Sequence, residues 1–357
     1  MKNLENVKPL GLNEDQIMDL LNLYQFKGKD YYYDNLLKGD SEAILRKTIK
    51  SDILAIADIL KLDITDPRKK LLLKKDCEPK NKDEQFFINI KNTLVRFMGF
   101  YRETELVSQE FQNLANSLFD KIENVKYRTY RAKGETTGFL ESTKLESMRN
   151  ELSKMLDTFT SLNYSNKYEI SNLIVNFYID FKKQEIFTTH NDILAVCSVF
   201  VLLVTSGFTL FKYTSFFELF KKYQSEFKDA ELKAMMNYEE GYSDTRKLNS
   251  LLVKLLLEGY DKVEEYINEY TFDGTVKKED NIIGIIYHLP QEFTKDDIRA
   301  KDPLTSDSTI NRALAKLSKQ KKIRSMGFGR SAKWIRIEKD PTYADAHQIN
   351  LFEIENN

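Results

Sequence analysis

The side chains best suited to a chemical task are concentrated near the C-terminal end of this 357-residue chain. Residues 304–339 hold six lysines and four arginines against two acidic residues, Asp307 and Glu338, which gives this segment a net charge of +8. The net charge of the whole chain is −1, so the charges of the remaining residues sum to −9. A segregated block of Lys and Arg is typical of surfaces that bind the phosphates of nucleic acids. This block is therefore the first candidate for a functional site.

Sequence signals place these cations on a helix and a following hairpin. Ile310, Leu314 and Leu317 share one face at helical spacing, which predicts a helix over 305–322. Thr305 or Ser306 can cap its start, and Asp307 complements the positive end of its dipole.

The segment "SMGFGRSAKWIRI", residues 325–337, predicts two short strands around a tip. Gly327 and Gly329 can reverse the chain at positive φ without a steric penalty. Alternation of side chains from Ala332 onward predicts the second strand, on which Trp334 is expected to pack against the preceding helix.

Two shorter helices are predicted before this unit, over 281–289 and 294–302. Three helices followed by a glycine-tipped hairpin form the winged-helix variety of helix-turn-helix, whose third helix fits the major groove of double-stranded DNA. We expect eight side chains to contact base edges or phosphates: Ser308, Thr309, Asn311, Arg312, Lys316, Lys319, Arg330 and Lys333. The alternative is a winged helix that binds another protein or has a purely structural role.

The rest of the chain offers little reactive chemistry. His190, His288 and His347 lie far apart and have no partner at metal-ligand spacing, so no metal site is predicted. His190 is the one candidate for a catalytic side chain, because it precedes an apolar run over 193–204 and could sit in an anion-binding helix N-terminus. The favoured explanation of this stretch is structural, with Asn191 or Asp192 as the helix N-cap.

Composition predicts a mainly all-α protein. No proline occurs in the 210 residues between Pro79 and Pro290, which permits long helices. Helical periodicity is clear over 141–162, 215–236 and 247–270. The apolar run of twelve residues is shorter than the roughly 20 that a membrane span needs, and two cysteines give no disulfide framework. We therefore expect a cytoplasmic protein without a membrane segment.

Changes in composition divide the chain into five parts. "YTFDGTVKKEDN", over 270–281, has a turn signal and mixed charge that indicate a linker. The predicted parts are a helical N-terminal region over 1–100, a helical domain over 101–270, a linker over 271–281, the winged helix over 282–339 and an acidic tail over 340–357.

A helical body followed by a winged helix resembles the large bacterial proteins of the Fic family. The resemblance covers roughly residues 30–337 and rests on segments such as "EISNLIVNFYIDFKKQEIF", residues 169–187, and "TSFFELFKKYQSEFKDA", residues 214–230. It implies a Fic-like helical domain over 101–270. Fic enzymes carry HPFx[DE]GNGR, in which the His acts as a base, the acidic residue binds magnesium, and the glycine-rich turn and the Arg contact the nucleotide.

That motif is missing from this chain. The corresponding stretch, "FTTHNDILAVCS", has no proline, no Gly-Asn-Gly and no arginine. The resemblance therefore implies a pseudoenzyme scaffold with no cofactor. Together with the cationic C-terminal unit, this predicts a DNA-binding protein that regulates transcription, with a protein partner or homodimer as a further possibility. Two alternatives stay open. One is a Fic-type nucleotidyltransferase with an atypical site at His190, which would use ATP and magnesium. The other is a protein-interaction module that does not bind DNA.

Overall fold

The computed structural model describes residues 2–74, 77–137, 140–241, 243–272, 278–301, 307–327 and 332–337. Contacts between Cα atoms divide the chain into two units. Described residues from 2–32 and 42–263 belong to the first unit, and those from 33–41 and 264–337 belong to the second. The two predicted parts over 1–100 and 101–270 thus lie mostly in one unit.

The first unit is built from helices that pack around a large apolar core. It includes two short 3₁₀ helices, at Tyr101–Glu103 and Thr209–Lys212. Its described α-helices, some of which extend past the division, are α1 (Glu14–Lys27), α2 (Asp30–Leu36), α3 (Ser41–Ile59), α4 (Asp66–Lys74), α5 (Lys82–Phe100), α6 (Ser108–Leu118), α7 (Met148–Tyr164), α8 (Ile170–Gln184), α9 (Asn191–Thr205), α10 (Phe216–Lys222), α11 (Gln224–Met235) and α12 (Arg246–Phe272).

A β-hairpin interrupts the helices of the first unit. Strands β1 (Thr129–Thr137) and β2 (Leu140–Ser147) are antiparallel, with Thr129 opposite Ser147. The helix predicted over 141–162 begins only at Met148, so the first part of that prediction is wrong. The reason is local: the Ser147 side chain accepts a hydrogen bond from the Arg149 N–H and caps the helix there. Residues before the cap pair with a Thr- and Tyr-containing segment that favours strand.

Helices α8 and α9 form the centre of this unit. The apolar run over 193–204 is buried throughout within α9, as predicted. No helix in the described part of the chain combines the length and apolar character that crossing a bilayer requires. Helix α8 is buried from Ile170 to Phe181 although it carries polar residues. Among them Asp180 accepts hydrogen bonds from the backbone N–H groups of Lys2, Asn3 and Leu4 at 2.9–3.0 Å.

The second unit contains the end of α12 and a compact set of short elements. These are α13 (Lys278–His288), β3 (Glu292–Phe293), α14 (Lys295–Lys301), α15 (Asp307–Lys319), β4 (Ile323–Ser325) and β5 (Trp334–Arg336). The strands form one antiparallel sheet in the order β3-β5-β4. Of the predicted linker, residues 271–272 continue α12, residues 278–281 begin α13, and 273–277 lie outside the described residues, as does the tail over 340–357.

Its apolar core joins the three helices to the sheet. Ile286, Phe293, Ile310, Leu314 and Ile323 are among its fully or almost fully buried members. Trp334 is half-buried and packs against this core, as expected. A set of elements this short is therefore held together by a single shared core.

A buried carboxylate in the first unit holds the start of α10. Asp52 on α3 is 2% exposed and accepts hydrogen bonds from the Ser215 hydroxyl at 2.5 Å and the Phe217 N–H at 3.0 Å. Burial raises the pKa of the Asp52 carboxyl to about 7, although both hydrogen bonds favour the ionised form. The folded protein thus favours protonated Asp52, whereas the unfolded chain does not.

This shift makes stability depend on pH. Because the folded pKa lies above the unfolded value of 3.8, the contribution of Asp52 is complete below about pH 4 and is lost as pH rises through about 7. Asp52→Asn keeps an acceptor and cannot ionise. We expect the free energy of unfolding of this variant, relative to that of the native chain, to increase by roughly 2–4 kcal/mol as pH rises from about 4.5 to about 8. Urea unfolding measures this difference.

Asp58→Asn on the same helix is the matched control. Hydrogen bonding to Lys221 lowers the pKa of the Asp58 carboxyl, so this residue is ionised over the whole range. Its substitution should shift stability by an amount that stays constant with pH. A pH-independent difference between Asp52→Asn and the native chain would contradict the account of Asp52.

Candidate functional site

The loop over 185–190, between α8 and α9, is where the first unit could hold an active site. Two of its residues adopt left-handed backbone conformations, Glu185 at φ 45° and His190 at φ 60°. Such angles are uncommon for residues other than glycine. The loop is therefore held in a defined shape by its surroundings.

Asn191 closes this loop with its side-chain amide. Its Oδ1 accepts a hydrogen bond from the Phe187 N–H at 2.9 Å, and its Nδ2 donates to the Phe187 carbonyl at 2.8 Å. The prediction that Asn191 or Asp192 is the N-cap of α9 is wrong. His190 occupies the N-cap position, and its side chain makes no capping hydrogen bond. The amide of Asn191 is used to fix the loop instead.

The segment 126–128 forms hydrogen bonds with the backbone of the loop. The Thr188 N–H donates to the Lys126 carbonyl at 2.9 Å, and the Arg128 N–H donates to the Ile186 carbonyl at 3.0 Å. The Arg128 guanidinium also donates to the carbonyls of Gln184, at 2.5 Å, and Glu185, at 2.9 Å. Arg128 thereby satisfies carbonyls at the end of α8 that lack helical partners.

The His190 imidazole is held on two sides. It stacks on the Phe119 ring at a centroid distance of 4.0 Å, and its Nε2 lies 2.8 Å from Glu123 Oε2. Thr189 donates a hydrogen bond to the other oxygen of Glu123 at 3.1 Å. The hydrogen bond from His190 lowers the pKa of the Glu123 carboxyl. The ring therefore links the loop to the segment after α6, and it remains 38% exposed.

These residues do not fit a magnesium–nucleotide complex. A phosphate at the start of α9 would meet the carboxylate of Asp192 in its first turn and that of Glu123 beside His190. Arg128 is engaged on carbonyls and Lys182 on Asp192 and Glu231, and Lys82 interacts with Glu123. Within the described ranges, no three His, Cys, Asp or Glu residues cluster as metal ligands would. Among its described residues, the loop therefore lacks the ligand cluster that such a complex would use.

The second candidate site is the outer face of α15. Successive residues turn by about 100° around a helix axis, so Ser308, Asn311, Arg312 and Lys319 share an arc of roughly 100°. All four are exposed, and Ala315 lies exposed among them. The buried residues of the same helix occupy the opposite side. Hydroxyl, amide and cationic groups thus share one surface of one helix.

Thr309 departs from the expectation that it faces solvent. It is 4% exposed, because its position on α15 lies about 110° from the centre of the outer face, toward the buried Ala313. Lys316, on the same flank, is half-buried. Arg330 and the predicted caps Thr305 and Ser306 lie outside the described residues.

The hairpin β4–β5 follows α15 directly. Ser325 is opposite Trp334, and the Met326 N–H donates to the Lys333 carbonyl at 2.7 Å. Lys333 and Arg324 are exposed on it. Gly327 does not adopt positive φ, contrary to expectation; its N–H and carbonyl both contact the Ser325 hydroxyl, which shapes the turn locally. Gly329 lies outside the described residues.

One ion-pair network connects α14 to the start of α15. The Arg299 guanidinium contacts Asp307 at 2.6 Å and also pairs with Asp296. Asp307 therefore has a cationic partner within the second unit. The pairing with Arg299 partly neutralises the negative charge that Asp307 places next to the outer face of α15.

The arrangement of helices is similar to that of a known family. A crystal structure of a Fic family protein from Desulfovibrio desulfuricans G20 matches with a TM-score of 0.53 at 13% sequence identity, and the match covers 93% of this chain and 98% of that one. The chain has a Fic-like fold. At this identity the similarity concerns the fold alone. No protein-family model matches the chain, and a search of curated proteins finds no match either.

Sequence reasoning found His190 and named Asn191 as a possible helix cap, but it missed Glu123 and Phe119. Asn191, Glu123 and Phe119 define the loop, and two of these lie about seventy residues earlier in the chain. The amide of Asn191 could have been recognised, because Asn favours local contacts to backbone groups before helices. The stacking of Phe119 has no sequence signal.

The loop geometry predicts the effect of changing Asn191. Asn191→Ala removes both hydrogen bonds to Phe187, and we expect a loss of about 2–3 kcal/mol in the free energy of unfolding. Asn191→Asp keeps the acceptor for the Phe187 N–H and should lose about half of that. Urea unfolding measures both, and amide exchange at Phe187 should accelerate in the order native, Asp, Ala. Equal stability of the three proteins would show that the amide does not hold the loop.

Proposed function

We propose that this protein is a DNA-binding regulator, with a winged helix in the second unit and a Fic-like first unit that acts as a scaffold without AMP-transfer activity. The observation that carries the proposal is the outer face of α15, where Ser308, Asn311, Arg312 and Lys319 are exposed together. In this proposal α15 is the recognition helix, and the hairpin β4–β5 is the wing.

The order of elements in the second unit supports the winged-helix assignment. The order is helix, strand, two helices and two strands, with the three strands in one sheet. In this order α15 packs on the shared core and leaves its outer face exposed. Ala315, at the centre of the outer face, would let a DNA backbone or base edge approach closely. Arg312 and Lys319, on either side of it, would contact phosphates or guanine edges.

The hairpin adds a second cationic contact. Arg324 and Lys333 are exposed on β4 and next to β5. Arg336 is different, because it is half-buried and its guanidinium donates to the Tyr287 carbonyl. We assign Lys333 and, by its sequence position, Arg330 to phosphate contacts, and Arg336 to holding the sheet on α13. A cytoplasmic location belongs to this proposal, since the protein must reach the DNA of the cell.

The proposed loss of enzymatic activity rests on the His190 loop. The His190 imidazole already stacks on Phe119 and contacts Glu123, and carboxylates lie at the start of α9. A nucleotide phosphate would need cations or open N–H groups there. The first unit is then a scaffold that positions the DNA-binding unit or binds a protein partner or second copy.

DNA binding should depend steeply on salt. The affinity of the full chain for a short labelled duplex of mixed sequence should fall with a log–log slope of about −3.6 to −5.4 between about 50 and 200 mM salt, for roughly four to six phosphate contacts. Lys319→Gln should lower the affinity and reduce the slope by about 0.9. Fluorescence anisotropy measures both quantities.

Lys228→Gln is the matched control, since Lys228 is exposed on α11 in the first unit and the substitution removes the same charge. It should leave affinity and slope unchanged. Binding that is absent, insensitive to salt or equally affected by both variants would remove the DNA-binding proposal. A stoichiometric protein partner recovered from nuclease-treated lysate by a chain that does not bind DNA would favour the interaction-module alternative.

The enzymatic alternative has its own test. Incubation of the full chain with magnesium and ATP labelled at the α-phosphate, with and without lysate proteins, should give no labelled protein above a no-enzyme background. His190→Ala should be indistinguishable from the native chain. Label transfer that disappears in His190→Ala would establish an atypical nucleotidyltransferase and contradict the scaffold role.

A further inference from the structure

A cavity in the first unit lies away from the His190 loop. It has a volume of about 370 Å³ and is bordered by α5, the 3₁₀ helix Tyr101–Glu103, α6 and Val201 of α9. Small-molecule sites typically measure about 300–1,000 Å³. Val201 follows Asn191 by ten residues along α9, which corresponds to roughly 15 Å. The cavity is therefore separate from the loop at the start of that helix.

Its inner surface is mostly apolar. Phe97, Phe111, Leu114 and Val201 contribute to it, and Phe111 and Val201 are buried. Phe97 packs against Phe200 of α9 at a centroid distance of 5.5 Å, which fixes the orientation of its ring. An aromatic or aliphatic group can fill this space and gain free energy from the burial of apolar surface.

The rim of the cavity is acidic. Glu103, Glu105 and Glu110 line it together with a single cation, Arg96, which leaves a net charge of −2. Neither Glu103 nor Glu105 forms an ion pair with any described residue, and both are exposed; Glu110 accepts a hydrogen bond from Asn113 at 3.2 Å. The entrance therefore favours a cation over an anion.

From these observations we infer that the cavity binds a small organic cation, with an aromatic or aliphatic body inside and an ammonium group at the rim. The apolar interior favours a ligand with an aromatic or aliphatic body, and Glu103 and Glu105 favour a ligand with a positive charge. The inference does not depend on DNA binding and concerns the first unit alone.

Calorimetry on the full chain with two probes of similar shape tests it. Tryptamine carries an indole N–H and an ammonium group, and indole-3-propionate carries the same ring with a carboxylate. We expect tryptamine to bind one site with a Kd below about 1 mM, and indole-3-propionate to bind at least about tenfold more weakly. No saturable binding of tryptamine, or equal affinity for both probes, would overturn the inference.

Two sets of variants locate the site. Leu114→Trp fills the cavity and should abolish tryptamine binding, whereas Leu232→Trp, at an exposed position of α11, should not change it. Glu103→Gln combined with Glu105→Gln changes only exposed groups, so it should fold normally. This double variant should raise the Kd of tryptamine about three- to tenfold and reduce the difference in affinity between the two probes. Binding that survives both Leu114→Trp, in a protein with native melting temperature, and the Glu variants would show that the cavity is not the site.

Discussion

The burial of polar side chains on α8 is the constraint on which the first unit depends. This helix is enclosed from Ile170 to Phe181, so Ser171, Asn172, Asn176 and Asp180 must all find partners inside the protein. An unsatisfied buried polar group costs about 1–3 kcal/mol, and an unpaired carboxylate costs more. Apolar packing alone would leave these groups unpaired, so other parts of the chain must supply hydrogen bonds to a helix that water does not reach.

Asn176 finds its partner on the same helix, at Asn172, but several other partners come from distant segments. The N-terminal backbone brings three N–H groups to Asp180, and the Lys8 carbonyl accepts from Asn172 at 3.0 Å. Tyr238 donates its hydroxyl to Asp180 at 2.7 Å, and Asn249 donates to Ser171 at 2.6 Å. The segment before α1 therefore lies along α8 although it has no regular secondary structure. The same helix ends at Gln184, and Arg128 and Asn191 hold the loop that follows through hydrogen bonds to its backbone.

Local patterns predicted the elements whose partners lie nearby in sequence. The apolar run of α9, the amphipathic α15 and the strands around Trp334 all follow from periodicity. The β1–β2 hairpin was missed because Leu145 matched the helical spacing of the following residues, and only the Ser147 cap separates strand from helix. The roles of Glu123 and Phe119 beside His190 depend on tertiary packing, which periodicity does not encode. Thr309 was placed on the outer face by residue type, whereas its angular position on α15 puts it on the flank.

The net charge of −1 does not prevent the proposed contact with DNA, because the distance of each charge from the bound phosphate matters more than the total charge. At physiological salt the Debye length is about 8 Å, so carboxylates farther than this from a bound phosphate contribute little. Arg312 and Lys319 on α15 would lie within that distance of the DNA backbone. Asp307, which belongs to the same segment, is the carboxylate at the start of α15, and Arg299 pairs with it at 2.6 Å. The local field on the outer face of α15, and not the charge of the whole protein, is then what determines whether a phosphate is bound.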